Sequence, residues 1–280
     1  MTQSFYTAAP EAHRSEDILA AYRSFLIQRN GPGFVTRDDR MKTFDPSLVH
    51  ADFPIDNARF NDNYNRLTNT DISEEEMALL AFVKINAAEA YGVEVVTKSA
   101  RRSRAELGVA ADVQQIVVQE EQYHTKLLVG AAGHFEGLSI VNAWRPTLSL
   151  RLLIGALVHI PTVIFHPVVL SAEIAGVHMF NWMLWRVKSL FRDQPAVRES
   201  MERRLIEVLI DEVGHVAFNR VLVGALGRSV ARQLAKLVAR SNPTGREMLA
   251  LGYGRSAVAS IDQFDFSQLP DEVRRRAFFA

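Results

Sequence analysis

Four long stretches between residues 74 and 226 carry apolar residues with a period near 3.6, as an amphipathic helix does. The first stretch follows Ser73, which lies three residues before Glu76 and forms a capping-box signal for a helix start. Little in this region alternates as a strand would. The pattern predicts an all-α core of four long helices: A (Glu74 to about Lys98), B (about Ala110 to Val129), C (about Pro167 to Phe191) and D (about Pro195 to Leu226).

The segments flanking these helices have a different character. Residues 1–72 contain four prolines and one clear amphipathic stretch, from about Glu16 to Gln28, which predicts an N-terminal arm or partial lid. Residues 229–240 suggest a further short helix, and the rest of residues 227–280 is expected to form a packed but irregular tail. Because no Pro-, Gly- or Ser-rich linker divides the sequence, we expect one domain over residues 1–280.

Composition narrows the class of function. The 280 residues include 32 Lys and Arg, 32 Asp and Glu, and no Cys. Zero net charge argues against strong sequence-independent binding to nucleic acid or anionic lipid, and the lack of Cys excludes disulfides, thiolate metal sites and Fe–S clusters. The first residues lack the basic and apolar regions of a secretory signal. We expect a cytoplasmic protein that acts on a small molecule.

One segment leaves a membrane span open as an alternative. Residues 152–172 contain no charged side chain, and 21 residues of helix would span about 30 Å, the thickness of a bilayer core. Pro161 and Pro167 interrupt the segment, and Glu173 follows it without a basic cluster to set orientation. The sequence therefore favours a short apolar helix followed by a buried one.

Helix C carries the first sign of chemistry. Between Arg151 and Arg186, Glu173 is the only charged residue apart from the histidines, and it lies among apolar neighbours. A buried carboxylate needs compensation, because leaving it unpaired costs several kcal/mol. A metal ion would supply it; protonation of Glu173 or an Arg from a neighbouring helix are the alternatives.

Helices B and D each contain a Glu-x-x-His motif. The motifs are Glu121-x-x-His124 and Glu212-x-x-His215, and in both helices the pair shares a side with apolar residues. Residues three apart on a helix lie about 60° apart around its axis, so the Glu and the His of one motif can bind the same metal ion. One such motif occurs often by chance, but two that both face the core indicate a metal site.

Helix A is expected to supply the last carboxylate. Glu89 shares an apolar stripe with Phe82 and Ile85, whereas Glu94, four residues before Lys98, has the spacing of an exposed ion pair. One Glu from each of two helices and a Glu-x-x-His from each of the other two form the di-metal carboxylate pattern of helical bundles. Such oxygen and imidazole donors suit two iron ions, with manganese as the alternative. The predicted ligands are Glu89, Glu121, His124, Glu173, Glu212 and His215.

An acidic residue precedes each motif. Glu120 and Asp211 are placed where each could hold the histidine of the opposite motif, although an exposed position is equally compatible with the sequence. Gly176 and Gly214 lie beside the predicted ligands, either to open space near the metals or to allow close helix packing. A solvated charged face is predicted for Glu199, Glu202 and Glu207 with Arg198, Arg203 and Arg204.

These motifs resemble those of the ferritin-like non-haem di-iron oxygenases, most closely the p-aminobenzoate N-oxygenase-like group. The resemblance covers about residues 74–226 and implies a ferritin-like bundle with additional N-terminal and C-terminal helices, which uses O2 at a di-iron centre to oxidise an amine. Because the sequence shows no flavin or nicotinamide fingerprint, we expect an external electron donor, a ferredoxin or reductase. The N-oxygenases carry one more His ligand a turn before the second motif, where this chain has Val208. His166 and His178 are the candidate replacements or pocket residues.

Other functions remain open at this stage. The same metal site could hydroxylate, desaturate or deformylate an apolar or acyl substrate, which the Leu-, Val- and Phe-rich residues 152–185 would suit. A ferritin-like iron-binding protein would assemble into a cage, whereas the N-terminal arm and the tail fit a monomer or homodimer better. A helical interaction protein without metal would leave several buried carboxylates uncompensated.

Overall fold

The computed structural model describes residues 15–44, 50–66, 72–103, 108–140, 148–157, 159, 161–241, 246–263 and 268–279. Within these residues the protein is all-helical and has no strand, which confirms the all-α part of the predicted fold class. The α-helices are α1 (Ser15–Asn30), α2 (Val35–Met41), α3 (Asn57–Arg66), α4 (Glu74–Ser103), α5 (Gly108–Ala132), α6 (Leu148–Leu157), α7 (Thr162–Leu190), α8 (Pro195–Val221), α9 (Ala225–Ser241), α10 (Arg246–Ala250), α11 (Tyr253–Gln263) and α12 (Asp271–Arg276).

The four predicted long helices are α4, α5, α7 and α8. Ser73 accepts a hydrogen bond from the backbone N–H of Glu76 at 3.1 Å, so the capping signal does begin α4. Helix α4 packs against α5 and α7 packs against α8, while contacts between α5 and α8 and between α4 and α7 join the two pairs. These four helices therefore pack together, an arrangement compatible with the predicted bundle.

Helix α8 lies at the centre of the molecule. Every residue from 204 to 220 is buried, because α7, α5, α1 and α12 pack around this helix. A helix that is buried on all sides must pair its polar side chains, since each unpaired one would lose its hydration without compensation. Residues 204 to 220 include two arginines and three acidic residues, so the neighbours of α8 have to supply their partners.

The boundaries of two helices differ from the sequence prediction. Helix α7 begins at Thr162 and contains Pro167, which was expected at its first position. The N–H that Pro167 lacks would have bonded the carbonyl of Val163, a residue that is 77% exposed, so water can replace the missing bond. Helix α8 ends at Val221 instead of continuing to about Leu226, and α9 starts at Ala225.

The flanking segments are more helical than the sequence indicated. The amphipathic stretch in the N-terminal arm is confirmed as α1, which packs against α5 and α8. The expectation of an irregular tail was wrong, because α9 is followed by α10, α11 and α12. These last three helices have 5, 11 and 6 residues, too short for a clear apolar period in the sequence.

The charge-poor segment folds as α6 followed by α7, the arrangement that the sequence favoured. Residues Val163–Leu190 are long and apolar enough to cross a membrane by length and composition, with a mean hydropathy of 1.6 over the most apolar part. This is weak evidence, since the core helix of a soluble protein passes the same test. Helix α7 packs against α8 and α9 and carries the predicted ligand Glu173.

Candidate metal centre

Six side chains from the four bundle helices meet in the interior of the bundle. They form two groups, and within each group the potential ligand atoms all lie within 4.8 Å of one another. The first group contains Glu89, Glu121, His124 and Glu212, and the second contains Glu121, Glu173, Glu212 and His215. The structure therefore brings together all six residues that the sequence nominated.

The two groups share Glu121 and Glu212. Each group adds one histidine and one unshared glutamate, so the halves are chemically alike: Glu89 with His124, and Glu173 with His215. Two carboxylates placed between two matching sets of ligands can bridge a pair of divalent ions.

One nitrogen of each histidine faces the carboxylates. Nδ1 of His124 lies 3.1 Å from Glu121 Oε2 and 3.4 Å from Glu212 Oε1. Nδ1 of His215 lies 3.0 Å from Glu121 Oε1 and 3.6 Å from Glu173 Oε2. Both nitrogens are buried, and neither makes a hydrogen bond within the described structure. Buried nitrogens that point into a carboxylate cluster without a hydrogen bond are suited to bind a metal ion.

The second nitrogen of each histidine contacts an acidic residue of the opposite helix. Nε2 of His124 on α5 lies 3.2 Å from Asp211 Oδ2 on α8, and Nε2 of His215 on α8 lies 3.2 Å from Glu120 Oε2 on α5. These are the crossed pairs that the sequence suggested, and Glu120 and Asp211 are buried rather than exposed. A carboxylate at Nε2 keeps the proton on that nitrogen and leaves Nδ1 free for a metal.

The N-terminal arm supplies cations that the sequence reasoning missed. Arg37 is 1% exposed and bridges both acidic residues: Nη1 donates to Glu120 Oε1 at 3.1 Å, and Nη2 donates to Asp211. Nε of Arg29 donates to Asp211 Oδ1 at 2.7 Å, and Nδ2 of Asn30 donates to Glu120 Oε1 at 2.9 Å. The first helices of the chain are therefore part of this centre.

Glu207 was wrongly assigned to a solvated face. It is buried, and its carboxylate accepts hydrogen bonds from Arg29 and Arg40, both at 2.9 Å, and from Arg276. Arg204 is buried as well. The error has a physical cause: α1 and α12 cover this part of α8, and the apolar period of α8 alone does not reveal that cover. Glu199 and Arg203 are exposed as expected, and Glu202 and Arg198 lie 3.5 Å apart at a half-buried position.

Crowding shifts the pKa values of the central carboxyl groups in opposite directions. Burial, and after it the charge of Glu121, raise the pKa of Glu89 to about 8. Burial and the charge of Glu173 raise the pKa of Glu212 well above its usual value. Burial alone would raise the pKa of Glu121, but His124 and His215 have the larger effect and lower this pKa. Without metal the carboxylates thus share protons, as expected for crowded acids.

The histidines hold protons in the same way. Burial would lower the pKa of His124, but the charge of Glu121 and the hydrogen bond to Asp211 raise it well above the usual value. Burial likewise opposes ionisation of His215, but Tyr22 and then the neighbouring carboxylates raise its pKa well above the usual value. A cluster that collects protons at buried nitrogen and oxygen donors is one in which divalent ions can replace those protons.

Both glycines beside the ligands permit a close approach. A Cβ atom added at Gly176 on α7 would lie 2.5 Å from Glu212 Oε2. A Cβ atom added at Gly214 on α8 would lie 2.8 Å from the hydroxyl of Tyr22 on α1. The space at Gly176 is thus taken up by a predicted ligand, and that at Gly214 by close packing of the N-terminal arm.

Replacing Gly176 by Ala is expected to displace Glu212 and to weaken binding of divalent metal by about 10- to 100-fold, the range for residues that orient ligands. Titration of the metal-free protein with Zn(II) measures the change. Gly92 on α4 provides the control, because a Cβ atom added there meets nothing within 4 Å. Unchanged affinity in Gly176→Ala would mean that the carboxylate of Glu212 can move aside without weakening metal binding.

His166 and His178 do not join the two ligand groups. His166 lines an apolar groove between α7 and α9 of about 590 Å³. His178 lines a separate cavity of about 450 Å³, where its Nδ1 lies 2.9 Å from Ser260 Oγ, and burial lowers its pKa to about 3. His178 is five residues beyond Glu173, which turns it about 140° around the helix axis and away from the cluster. Val208 is fully buried, and its apolar side chain offers no ligand atom there.

Comparisons with models of protein families, with curated proteins and with solved structures found no match for this chain. They neither support nor refute the resemblance to di-iron oxygenases. The function proposed below is therefore based on the geometry of the six side chains.

Proposed function

We propose that this chain is a ferritin-like, O2-dependent di-iron oxygenase. One observation carries the proposal: four buried or half-buried carboxylates and two histidines from four helices form two matching ligand groups that share Glu121 and Glu212. Four ionised glutamates balance the charge of two divalent ions, whereas a single ion would leave the remaining carboxylates to share protons.

The donor set fits iron. It consists of carboxylate oxygens and imidazole nitrogens without a thiolate, the ligands that suit iron or manganese in helical bundles. When bound, two such ions would supply O2 binding and oxidation chemistry that no side chain of this protein provides. In this proposal Glu121 and Glu212 would help to hold both ions, whereas Glu89 and Glu173 would each help to hold one of them.

The surrounding side chains have defined tasks. Asp211 and Glu120 hold the proton on Nε2 of the two histidines, so that Nδ1 presents a lone pair to the metal. Arg37 fixes both carboxylates through its two ion pairs. The burial of these groups excludes water and preserves the strength of the ionic contacts.

For the reaction we propose N-oxygenation of a small amine, supported by the resemblance of the two Glu-x-x-His motifs to those of N-oxygenases. Reduction of O2 at such a centre requires electrons, and the sequence shows no nicotinamide or flavin fingerprint, so an external ferredoxin or reductase is part of the proposal.

The test is metal content followed by reactivity with O2. Protein reconstituted anaerobically with Fe(II) is expected to retain about two irons per chain after desalting, and to develop a visible absorption band on mixing with O2. A single tightly held Zn, or no retained metal, would contradict the di-iron assignment. Product analysis with small amines then tests the reaction class.

Metal binding is expected to release protons at neutral pH. Glu89, with a pKa of about 8, and the two histidines, whose pKa values are raised, are protonated in the metal-free protein, and the metal binds only their deprotonated forms. Affinity should therefore rise with pH from about 6 to about 8. Calorimetry in two buffers of different ionisation enthalpy measures the protons released. Binding with no proton release at pH 7 would contradict these protonation states.

A further inference from the structure

A small cavity lies against the candidate metal centre. It has a volume of about 160 Å³ and is walled by residues of α4, α7, α9 and α11. Glu89 and Gly176 are both in its wall, with Ala88, Ala175, Met179 and Tyr253 among their neighbours. Ala172, at the edge of the cavity, is exposed, so the cavity opens to solvent on that side.

A molecule in this cavity would be next to one of the two ligand groups. Glu89 belongs to the group that contains His124. Across Gly176 lies Glu212, since a Cβ atom at Gly176 would be 2.5 Å from its Oε2. The two larger cavities, beside His166 and His178, include none of the six candidate ligands in their described walls.

The volume limits the size of an occupant. Buried apolar cavities of about 150 Å³ are large enough to take up benzene. A cavity of about 160 Å³ therefore accepts one aromatic ring with a small substituent, whereas a long acyl chain would have to extend out past Ala172.

The chemistry of the wall limits the charge of an occupant. Among the described lining residues, only Glu89 and Tyr253 have a side-chain oxygen or nitrogen, and Tyr253 Oη already donates to the carbonyl of Ala175 at 3.4 Å. A carboxylate in the cavity would meet no cationic side chain, and an unpaired buried charge costs several kcal/mol.

The metal centre does not alter this conclusion. Two divalent ions would be balanced by the four glutamates, and Glu120 and Asp211 are balanced by Arg29 and Arg37. The loaded centre is therefore close to neutral and exerts little attraction on an anion.

We propose that the cavity beside Glu89 is the substrate site, and that the substrate is an uncharged apolar molecule of about one aromatic ring. The assignment of the occupant as substrate rests on the proposed function; the size and charge limits rest on the cavity alone. A neutral arylamine satisfies these limits, whereas a ring that carries a carboxylate does not.

Fluorine NMR of full-length Zn(II)-loaded protein tests size and charge, with fluorobenzene, 4-fluoroaniline and 4-fluorobenzoate as probes. The two neutral probes are expected to bind, and 4-fluorobenzoate to bind at least about tenfold more weakly. Failure of both neutral probes to bind, or equal binding of 4-fluorobenzoate, would overturn the proposal.

Two variants test whether the probe binds in this cavity. Ala88→Leu should fill the cavity and lower the affinity for fluorobenzene by at least about tenfold, whereas Ala90→Leu, on the exposed side of α4, should leave it unchanged. Met179→Ala should enlarge the cavity and admit 1-fluoronaphthalene, which covers the case in which Ala88→Leu fails to fold. Equal fluorobenzene binding in folded Ala88→Leu and Ala90→Leu would locate the probe elsewhere.

Replacing Zn(II) by paramagnetic Fe(II) under anaerobic conditions tests proximity to the metals. Fluorine relaxation of bound fluorobenzene should increase sharply in the Fe(II) protein, because this effect falls steeply with distance. Bound probe without faster relaxation, in protein shown to hold iron, would overturn the substrate-site assignment. Protein that binds the probe but retains no metal would refute the proposed function while leaving the size and charge limits in place.

Discussion

Replacing Arg37 by Met is expected to lower the free energy of unfolding by about 3–5 kcal/mol, the cost of removing one partner from a buried ion pair. Burial alone would raise the pKa of Asp211, but the guanidinium groups of Arg29 and Arg37 hold it well below its usual value. Without Arg37, Asp211 keeps Arg29, whereas Glu120 loses its only arginine partner and keeps Asn30 and His215. Urea denaturation of the metal-free protein measures the loss.

Arg23→Ala is the matched control for Arg37→Met. Arg23 also lies in the N-terminal arm, but its contact with Asp112 is 3.5 Å long and solvent-exposed, and such pairs contribute about 0–1 kcal/mol. Arg37→Lys should be intermediate, because an ammonium group keeps the charge but cannot form the same two-sided bridge. Equal losses in Arg37→Met and Arg23→Ala would show that the buried bridge adds no stability.

The bridge made by Arg37 gives the N-terminal arm a role that a lid would not have. A lid opens during the reaction, whereas Arg29, Asn30 and Arg37 are buried and hydrogen-bonded to the carboxylates that hold the histidines. Opening the arm would separate Glu120 and Asp211 from their cationic partners. The arm is therefore a fixed wall of the centre, and the interpretation as a partial lid is not supported for α1 and α2.

The candidate ligands could be predicted because helical spacing is a local property. Glu121 and His124 are three residues apart on one helix, as are Glu212 and His215, and the apolar period around them fixes the direction in which they point. The choice of Glu89 over Glu94 followed from the same period. Once four helices form a bundle, inward-facing positions on each of them meet in its interior.

The partners of Glu120, Asp211 and Glu207 could not be predicted in this way. Arg29 and Arg37 are 182 and 174 residues from Asp211 in the chain, so no spacing rule relates them. One signal was present: acidic residues next to inward-facing motifs on long apolar helices must find cations, and the N-terminal arm is rich in arginine. Which arginines meet which acids depends on how the arm turns between α1 and α2.

That turn shows why local rules were insufficient. Gly31 and Gly33 adopt positive φ angles of 73° and 57°, and Phe34 follows with a φ of 65°. The left-handed conformation is rare for residues with a side chain. The spacing of apolar residues therefore cannot predict these three backbone angles. The turn connects α1 to α2, and Arg29 on α1 and Arg37 on α2 both donate to Asp211 on α8.

Single substitutions of the ligands should change metal stoichiometry in a graded way. Glu121 belongs to both ligand groups, so Glu121→Ala is expected to reduce retention from about two metal ions per chain to none. Glu89 belongs only to the group of His124, so Glu89→Ala should retain about one ion, in the group of His215. Elemental analysis after anaerobic reconstitution and desalting gives these ratios.

The graded pattern separates a shared ligand from a residue that merely supports the fold. Glu199→Ala, on the exposed face of α8, should retain both ions. Far-UV circular dichroism should remain helical in all three variants, because Glu199 is exposed and removing one carboxylate from the crowded cluster relieves repulsion among the others. Equal metal loss in Glu89→Ala and Glu121→Ala would show that Glu121 does not bridge two ions. If Glu121→Ala retained both metal ions, the di-metal assignment itself would be wrong, because both ligand groups include this carboxylate.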